Sequence, residues 1–230
     1  MNRVVVNRVV VNRAVVSHVA VNHIVVNRAI VHTAFASAAL LVSASASAAD
    51  FRFDTVHTQL EFCVSHMGYS HSCGRAPVKS GFFHFDADDW GSARVEATID
   101  TAALDMGNNP AWSDKVRSTF LEAAHYPTAR FVGKRAEKTD GNSGIVHGEL
   151  TLRDRTRPVD LHVTLNRAGM DGYTLHYVAG FSATASFKRS AFGIDRDLPD
   201  VGDEVSVRIE VEGLRDKDAP VQSGKDDKEP

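Results

Sequence analysis

The feature that most constrains this chain is an alternation of apolar and polar residues that recurs seven or eight times after Phe51, most cleanly in Val205-Ser206-Val207-Arg208-Ile209-Glu210-Val211. Side chains of a strand point to opposite faces in turn, so each such run is a strand wet on one side and buried on the other. Many such runs, with no long helical pattern between them, describe an antiparallel sheet with one shared apolar face. What that face encloses is the question of function.

The alternation predicts strands at 51–54, 60–65, 81–86, 93–100, 129–134, 145–152, 159–165, 174–179 continuing into 181–188, and 204–212. Turn chemistry separates them, as in Asp88-Asp89-Trp90-Gly91, Asp140-Gly141-Asn142-Ser143-Gly144, Asp154-Arg155-Thr156-Arg157-Pro158 and Ala168-Gly169-Met170-Asp171-Gly172. Residues 66–80 read as a loop or short helix. Residues 109–126 read as helix, because Trp112, Val116, Phe120 and Ala123 recur at three or four, with Asp114 in the first turn and Pro127 closing it.

Eight or nine antiparallel strands lose their exposed edges best by closing on themselves. The fold class is therefore all-β, an antiparallel up-and-down barrel with a short helix between strands. An eight-stranded barrel is either filled by side chains or holds one small ligand. Its inward row comprises Phe62, Val64, Phe83, Phe85, Val95, Ala97, Ile99, Phe131, Leu150, Leu152, Leu161, Val163, Phe181, Ala183, Phe187, Val207 and Ile209, none of them polar. The small residues Ala97 and Ala183, with Gly148 beside them, either leave space for a ligand or merely accommodate the large rings.

The first fifty residues differ from the rest. Residues 1–48 carry Arg3, Arg8, Arg13 and Arg28 and no Asp or Glu, so removing them takes the whole-chain charge from −3 to −7. The acidic remainder, about 180 residues, is ample for one core and argues against a nucleic-acid partner, whose phosphates demand clustered Lys and Arg. Residues 2–31 repeat with a period of five, as in Asn2-Arg3-Val4-Val5-Val6 and Asn7-Arg8-Val9-Val10-Val11. That period matches neither helix nor strand, is far too short for a solenoid, and its arginines interrupt a membrane span. We read it as translated from a short DNA repeat upstream of the true start, with a start near Val26 leaving Arg28 as a basic n-region. Residues 29–41 are apolar and small, and the Ser/Ala run that follows ends in an Ala46-Ser47-Ala48 cleavage site. This is the layout of a secretory signal, and the expectation is export to a periplasm with cleavage near Ala48. The domain plan is thus repeat plus signal over 1–48, a barrel over 49–214, and a polar, disordered tail over 215–230.

Several segments resemble the YceI family of bacterial periplasmic proteins. They are Glu61-Phe62-Cys63-Val64-Ser65-His66-Met67-Gly68-Tyr69-Ser70; Lys115-Val116-Arg117-Ser118-Thr119-Phe120 leading to Tyr126-Pro127-Thr128-Ala129-Arg130-Phe131; and Lys188-Arg189-Ser190-Ala191-Phe192-Gly193 followed by Val201-Gly202-Asp203-Glu204-Val205. Between the second and third, Gly148-Glu149-Leu150-Thr151-Leu152 resembles the family's Gly-x-Leu-Thr hairpin. The resemblance spans about Phe51 to Leu214 and implies an extended lipocalin-like barrel holding a long isoprenoid chain, a polyisoprenoid or a polyisoprenyl quinone. It brings no catalytic residues and no cofactor beyond such a ligand. It permits a membrane di-haem cytochrome b as a redox partner for a bound quinone. A homodimer is compatible with the sequence but is not implied by it. The chain departs from the family at Ala76-Pro77-Val78, where an aromatic is usual, and in a helix motif at Lys115–Phe120 shortened by a residue.

Such a site needs polar groups only at its mouth, and the candidates are His66, Tyr69, Trp112, Arg117 and Arg189. The bland reading makes His66 a satisfied loop histidine, Trp112 a packing residue and the arginines surface charges. The rival reading is local. Cys63, His66, His71 and Cys73 are four preferred zinc ligands within eleven residues. Their spacing matches no common zinc loop, and two exported cysteines tend to pair, so a Cys63–Cys73 disulfide competes with a zinc site. Neither a Gly-x-Ser-x-Gly elbow nor a His-Glu-x-x-His helix is present, and the chain is read as a binding protein rather than an enzyme.

Overall fold

Ten antiparallel strands make up most of the described chain, residues 48–107 and 109–219 of a computed structural model. They are β1 Ala49–Phe53, β2 Gln59–His66, β3 Ser70–Arg75, β4 Val78–Phe85, β5 Arg94–Asp100, β6 Thr128–Asp140, β7 Ser143–Leu152, β8 Arg155–Met170, β9 Tyr177–Lys188 and β10 Val201–Arg215. The sheet order runs β1-β4-β5-β6-β7-β8-β9-β10, and β1 also pairs with β10, so these eight strands close into a barrel. β2 pairs with β10 and then with β3. The up-and-down antiparallel barrel read from the alternation, lipocalin-like as the family resemblance implies, is the fold of the protein.

The two faces separate as the period requires. Along β10, Val205, Val207 and Ile209 face inward while Glu204, Ser206 and Arg208 are exposed. The outer face is laced by cross-strand ion pairs such as Arg130–Glu96 (2.8 Å) and Lys134–Glu149 (2.8 Å), each worth only a few tenths of a kcal/mol, about 0.2–1. Aromatic rings crowd the inner face at one end. Phe51 stacks on Phe83 (centroids 4.7 Å apart), and Phe181 meets Phe83 and Phe85 edge-on (5.5 and 5.0 Å). Trp90, in a 3-10 turn between β4 and β5, lies edge-on to Phe85 at 5.3 Å and caps that end. A second buried cluster, including Leu104, Phe192 and Ile194, packs at the other end.

Glycines accept these rings. Gly144 lies under Trp90, Gly81 against Phe53, Gly213 against Phe83, and Gly148 against Phe131, in each case where a Cβ would collide with the ring. Gly148 therefore accommodates a ring and opens no space of its own.

The departures from the expected elements have local causes. Residues 66–80 are not a loop or helix. They hold β3 and the start of β4, and the β2–β3 turn is made by Met67 and Gly68, both with positive φ. β3 escaped the alternation rule because its inward positions are Ser70, Ser72 and Gly74, opposite His66, Val64 and Phe62. The helix is shorter than 109–126: α1 covers Pro110–Lys115, capped by the Asn109 side chain, and a π turn follows at Val116–Phe120. β6 and β8 run past their expected ends, β6 to Asp140 and β8 from Arg155 to Met170, through bulges that reset the inward phase. The segment 154–158 is consequently mostly strand, with the turn at Arg153-Asp154.

Residue 215, the expected start of the tail, still lies in the sheet. Arg215 belongs to β10, and Asp216 is fastened by a 2.7 Å ion pair to Arg52. The five-residue repeat, the segment up to residue 47 read as a signal, and the part of the expected tail from residue 220 lie outside the described residues. Among the described residues, no helix is long and apolar enough to cross a membrane.

The ring-on-glycine packing yields a prediction of sign. Alanine for glycine in a strand interior ordinarily stabilises. Gly148→Ala instead drives a methyl into the Phe131 ring and should destabilise by about 1–3 kcal/mol in urea unfolding. A neutral or stabilising result would show that the ring moves aside freely.

Candidate ligand-binding cavity

The barrel encloses a cavity of about 460 Å³, walled in part by residues of both clusters. Every residue of the sequence-predicted inward row lies on its wall, from Phe62 and Val64 on β2 through Phe83, Phe85, Val95, Ala97, Ile99, Phe131, Leu150, Leu152, Leu161, Val163, Phe181, Ala183 and Phe187 to Val207 and Ile209 on β10. Phe62, Val64, Leu161, Val207 and Ile209 are only half-buried, although the barrel closes around them. Their inward faces front the cavity rather than one another. Val201 and Val211 both line it, ten residues apart on β10. At about 3.3 Å per residue and ordinary strand tilt, that is roughly 25 Å of barrel axis. The space is a tube.

The wall has parts that the predicted inward row leaves out. Val146 and Ala136 are strand residues, Ala136 lying beyond the β6 bulge. Leu104 and Met106 come from the β5–α1 connection, which has no alternation, and Val116, Phe120 and Leu121 come from the helical segment. Phe120 was legible as part of a helix stripe, but not as a wall of the barrel.

Polar groups on the wall lie towards the ends. At the Trp90 end, His84 and Arg94 are committed elsewhere, His84 Nδ1 to Asp50 (2.7 Å) and Arg94 Nη1 to the Ala93 carbonyl (2.7 Å). At the other end lie Ser65, His66, Ser72, Trp112, Lys115 and Arg189. Only Trp112 and Lys115 among the wall residues are exposed outright, so the mouth is there.

The five mouth candidates divide. His66 and Trp112 stand together, ring centroids 6.0 Å apart, and both reach the cavity. Tyr69 does not: it is 87% exposed at the tip of the β2–β3 turn. Arg117 does not either, because its guanidinium is taken by the Leu104 carbonyl (2.8 Å) and Asp114 (2.5 Å). Arg189 reaches the cavity but is no surface charge. It is 4% exposed and donates to the carbonyls of Gly202, Ile194, Arg196 and Val201 at 2.6–2.9 Å. Its guanidinium also lies 5.6 Å from the Phe120 ring centroid, a cation–π contact. Burial lowers the Arg189 pKa, against the opposing field of Asp203, Asp197 and Asp195. Asp203 is held below the usual carboxylate range by the Ser190 N–H, helped by the Ser190 hydroxyl. Arg189 thus ties the 193–203 loop into one wall of the mouth.

Cys63 and Cys73 are joined by a disulfide across β2 and β3, Cα atoms 4.1 Å apart. This removes both thiolates from the zinc set. The register also places Cys63, Cys73 and His71 on the outer face and His66 on the inner one, so the four side chains cannot converge. A different trio, Asp54, His57 and Glu212, brings its ligand atoms within 4.8 Å on the outer surface. There His57 Nδ1 is 2.8 Å from Asp54, whose carboxylate raises the His57 pKa, and the group is a surface ion pair.

A closed eight-stranded barrel with an apolar tube and polar groups at its ends defines a lipocalin-like binding protein. Residues 51–213 match the YceI-like domain, and the chain belongs to the YceI family. A UPF0312 protein of Shewanella baltica is 35% identical over 182 residues, covering 77% of this chain and 94% of its own. The crystal structure of Burkholderia cenocepacia BcnA superposes with a TM-score of 0.59 at 25% identity, over 70% of this chain and 98% of BcnA. A polyisoprenoid binding domain from Saccharophagus degradans shares the fold, with a TM-score of 0.54 at 15% identity over 72% of this chain and 98% of that domain.

Arg189 gives the site its clearest stability test. Arg189→Met keeps much of the stem's volume but leaves four carbonyls without their charged donor. A loss of about 3 kcal/mol or more in urea unfolding is expected, and a loss below about 1 kcal/mol would mean that water replaces the guanidinium at no cost.

Proposed function

We propose that this protein is a binding or carrier protein that holds a long isoprenoid chain, a polyprenyl lipid or a polyisoprenyl quinone, inside its barrel. One observation carries the reading: a tube whose wall is apolar along its middle, with polar groups only towards its ends. A polar ligand lying in that tube would leave its hydrogen bonds unmet, at about 2–7 kcal/mol for each buried group. A hydrocarbon chain loses nothing there and gains about 2.5 kcal/mol for each 100 Å² taken out of water. His66, Trp112 and Ser72 at the mouth suit a small polar headgroup. The polyisoprenoid-binding name of the Saccharophagus domain supports the same ligand class.

The location belongs to this proposal as well. A signal-like segment ending at Ala48 and a disulfide between Cys63 and Cys73 both suit an oxidising compartment outside the cytoplasm, a periplasm.

The test is native purification followed by organic extraction and mass spectrometry. The expected result is a stoichiometric isoprenoid, and a properly folded protein that yields none would overturn the proposal. Two kinds of substitution separate lining from stability. Phe131→Asp or Phe181→Asp puts a carboxylate into the apolar wall, and both lipid loading and stability should fall. Ala97 is half-buried on the wall, so Ala97→Phe should fill part of the tube and lower loading while the unfolding midpoint stays near that of the parent. Full loading of Ala97→Phe would place the ligand elsewhere.

A further inference from the structure

A water-insoluble cargo has to reach the tube, and the rim around its mouth has a distinctive surface. Met67 (55% exposed), Tyr69 (87%), Trp112 (46%) and Leu198 (37%) are large apolar side chains turned to solvent. They stand on three separate segments, the β2–β3 turn, the start of α1 and the loop before β10, yet these segments are tied together. The Met67 N–H donates to the Asp200 carbonyl at 2.6 Å, beside Leu198. Lys115 on α1 pairs with Asp197 at 3.1 Å, and His66 packs against Trp112. Trp112 is shared between rim and cavity wall. The apolar rim is thus continuous with the tube.

Its charges decide what it fits. Lys115 and Arg196 are interspersed with Asp195, Asp197 and Asp200, so the rim presents no basic patch for anionic headgroups. Single apolar side chains projecting around an opening suit shallow insertion rather than a peptide groove. Tyr and Trp rings settle at the headgroup level of a bilayer, where one end is apolar and the other wet. We infer that this rim docks the protein, mouth first, on the surface of a lipid bilayer, with which the tube exchanges its cargo by direct contact. The inference rests on the isoprenoid-binding reading for its purpose, but its physical content can be tested apart.

The chain supplies its own probe. Of its two tryptophans, Trp90 is buried (5% exposed) and Trp112 lies on the rim. Full-length protein is mixed with neutral phosphatidylcholine vesicles carrying brominated acyl chains. The expected outcome is quenching and a blue shift of Trp112 emission that salt does not reverse. The variant Met67→Ser/Tyr69→Ser/Leu198→Ser should lower the vesicle-bound fraction at least about tenfold, while taking up a polyprenol from detergent micelles as the parent does. A comparison set lies elsewhere: Met170, Tyr173 and Leu175, at the β8–β9 turn of the opposite end, are also exposed. Met170→Ser/Tyr173→Ser/Leu175→Ser should bind vesicles like the parent. Absence of quenching, a rim variant that still binds, or loss of binding in the opposite-end variant would each overturn the docking surface. So would a rim-dependent dimer in sedimentation without vesicle binding, which would make a second copy the occupant. Vesicle binding with no isoprenoid retained would sink the cargo reading and leave docking standing. Cargo retained without vesicle binding would do the reverse.

Discussion

Closure of this barrel depends on five residues. β1 is the strand that joins β4 to β10, and it does so only over Ala49–Phe53. Without it, two long strands would each expose a row of unpaired backbone groups. Phe51 fixes the strand in place: it is 2% exposed and lies face to face with Phe83. At residues 54–58 the chain leaves the sheet, and when it returns as β2 it continues along β10 but no longer pairs with β4. The break separates the two ends of the barrel. On the β1 side the wall is closed by hydrogen bonds and filled with rings. On the β2 side the seam is bridged by other means, with Arg75 pairing with Asp105 and the 104–121 segment supplying Leu104, Met106, Trp112, Val116, Phe120 and Leu121 to the wall. The mouth lies where the barrel is not closed by a strand.

That asymmetry accounts for what the sequence revealed and what it hid. Alternation is a property of strands wet on one side, so it located the rows from β4 to β10 and the phase of Phe62 and Val64 on β2. It failed on β3, whose inner face is Ser, Ser and Gly because the large side chains opposite it come from β2. It failed again past the bulges, where Ala136 follows Gly133 out of step and Ala168 follows Leu165 in the same way. Strand length was underestimated because the outer ends of β6 and β8 are wet on both sides and lose their period. The mouth was least legible. Arg189 sits in a polar, Gly- and Asp-rich stretch that reads as surface, and only the folded loop brings four carbonyls around it.

Core and cavity share residues, and the degree of burial varies along the wall. Buried residues of both clusters, such as Leu104, Ile194, Phe83 and Phe85, also lie on the cavity wall and serve core and cavity together. The half-buried wall residues Phe62, Val64, Leu161, Val207 and Ile209 keep faces turned to the tube, an apolar area that would give a hydrocarbon ligand roughly 25 cal/mol per Å². A barrel packed along its whole length would gain stability and give up this surface. Glycines admit protein rings, Gly81 against Phe53 and Gly148 against Phe131, whereas Ala97, the cross-strand partner of Gly81, and Ala183 lie on the cavity wall.

The disulfide finds its place in the same geometry. Over residues 59–66 the outer flank of β10 is carried by β2, and β2's other edge by β3 alone, a six-residue strand with little apolar burial of its own. This hairpin has less sheet support than any other part of the wall, yet its inner face carries Phe62, Val64, His66 and Ser72 at the cavity. A covalent link between Cys63 and Cys73, on the outer face, holds the two strands in register without placing an atom inside. The weakest part of the wall is therefore strengthened from its outer face, and the link leaves the cavity side of the hairpin unaltered.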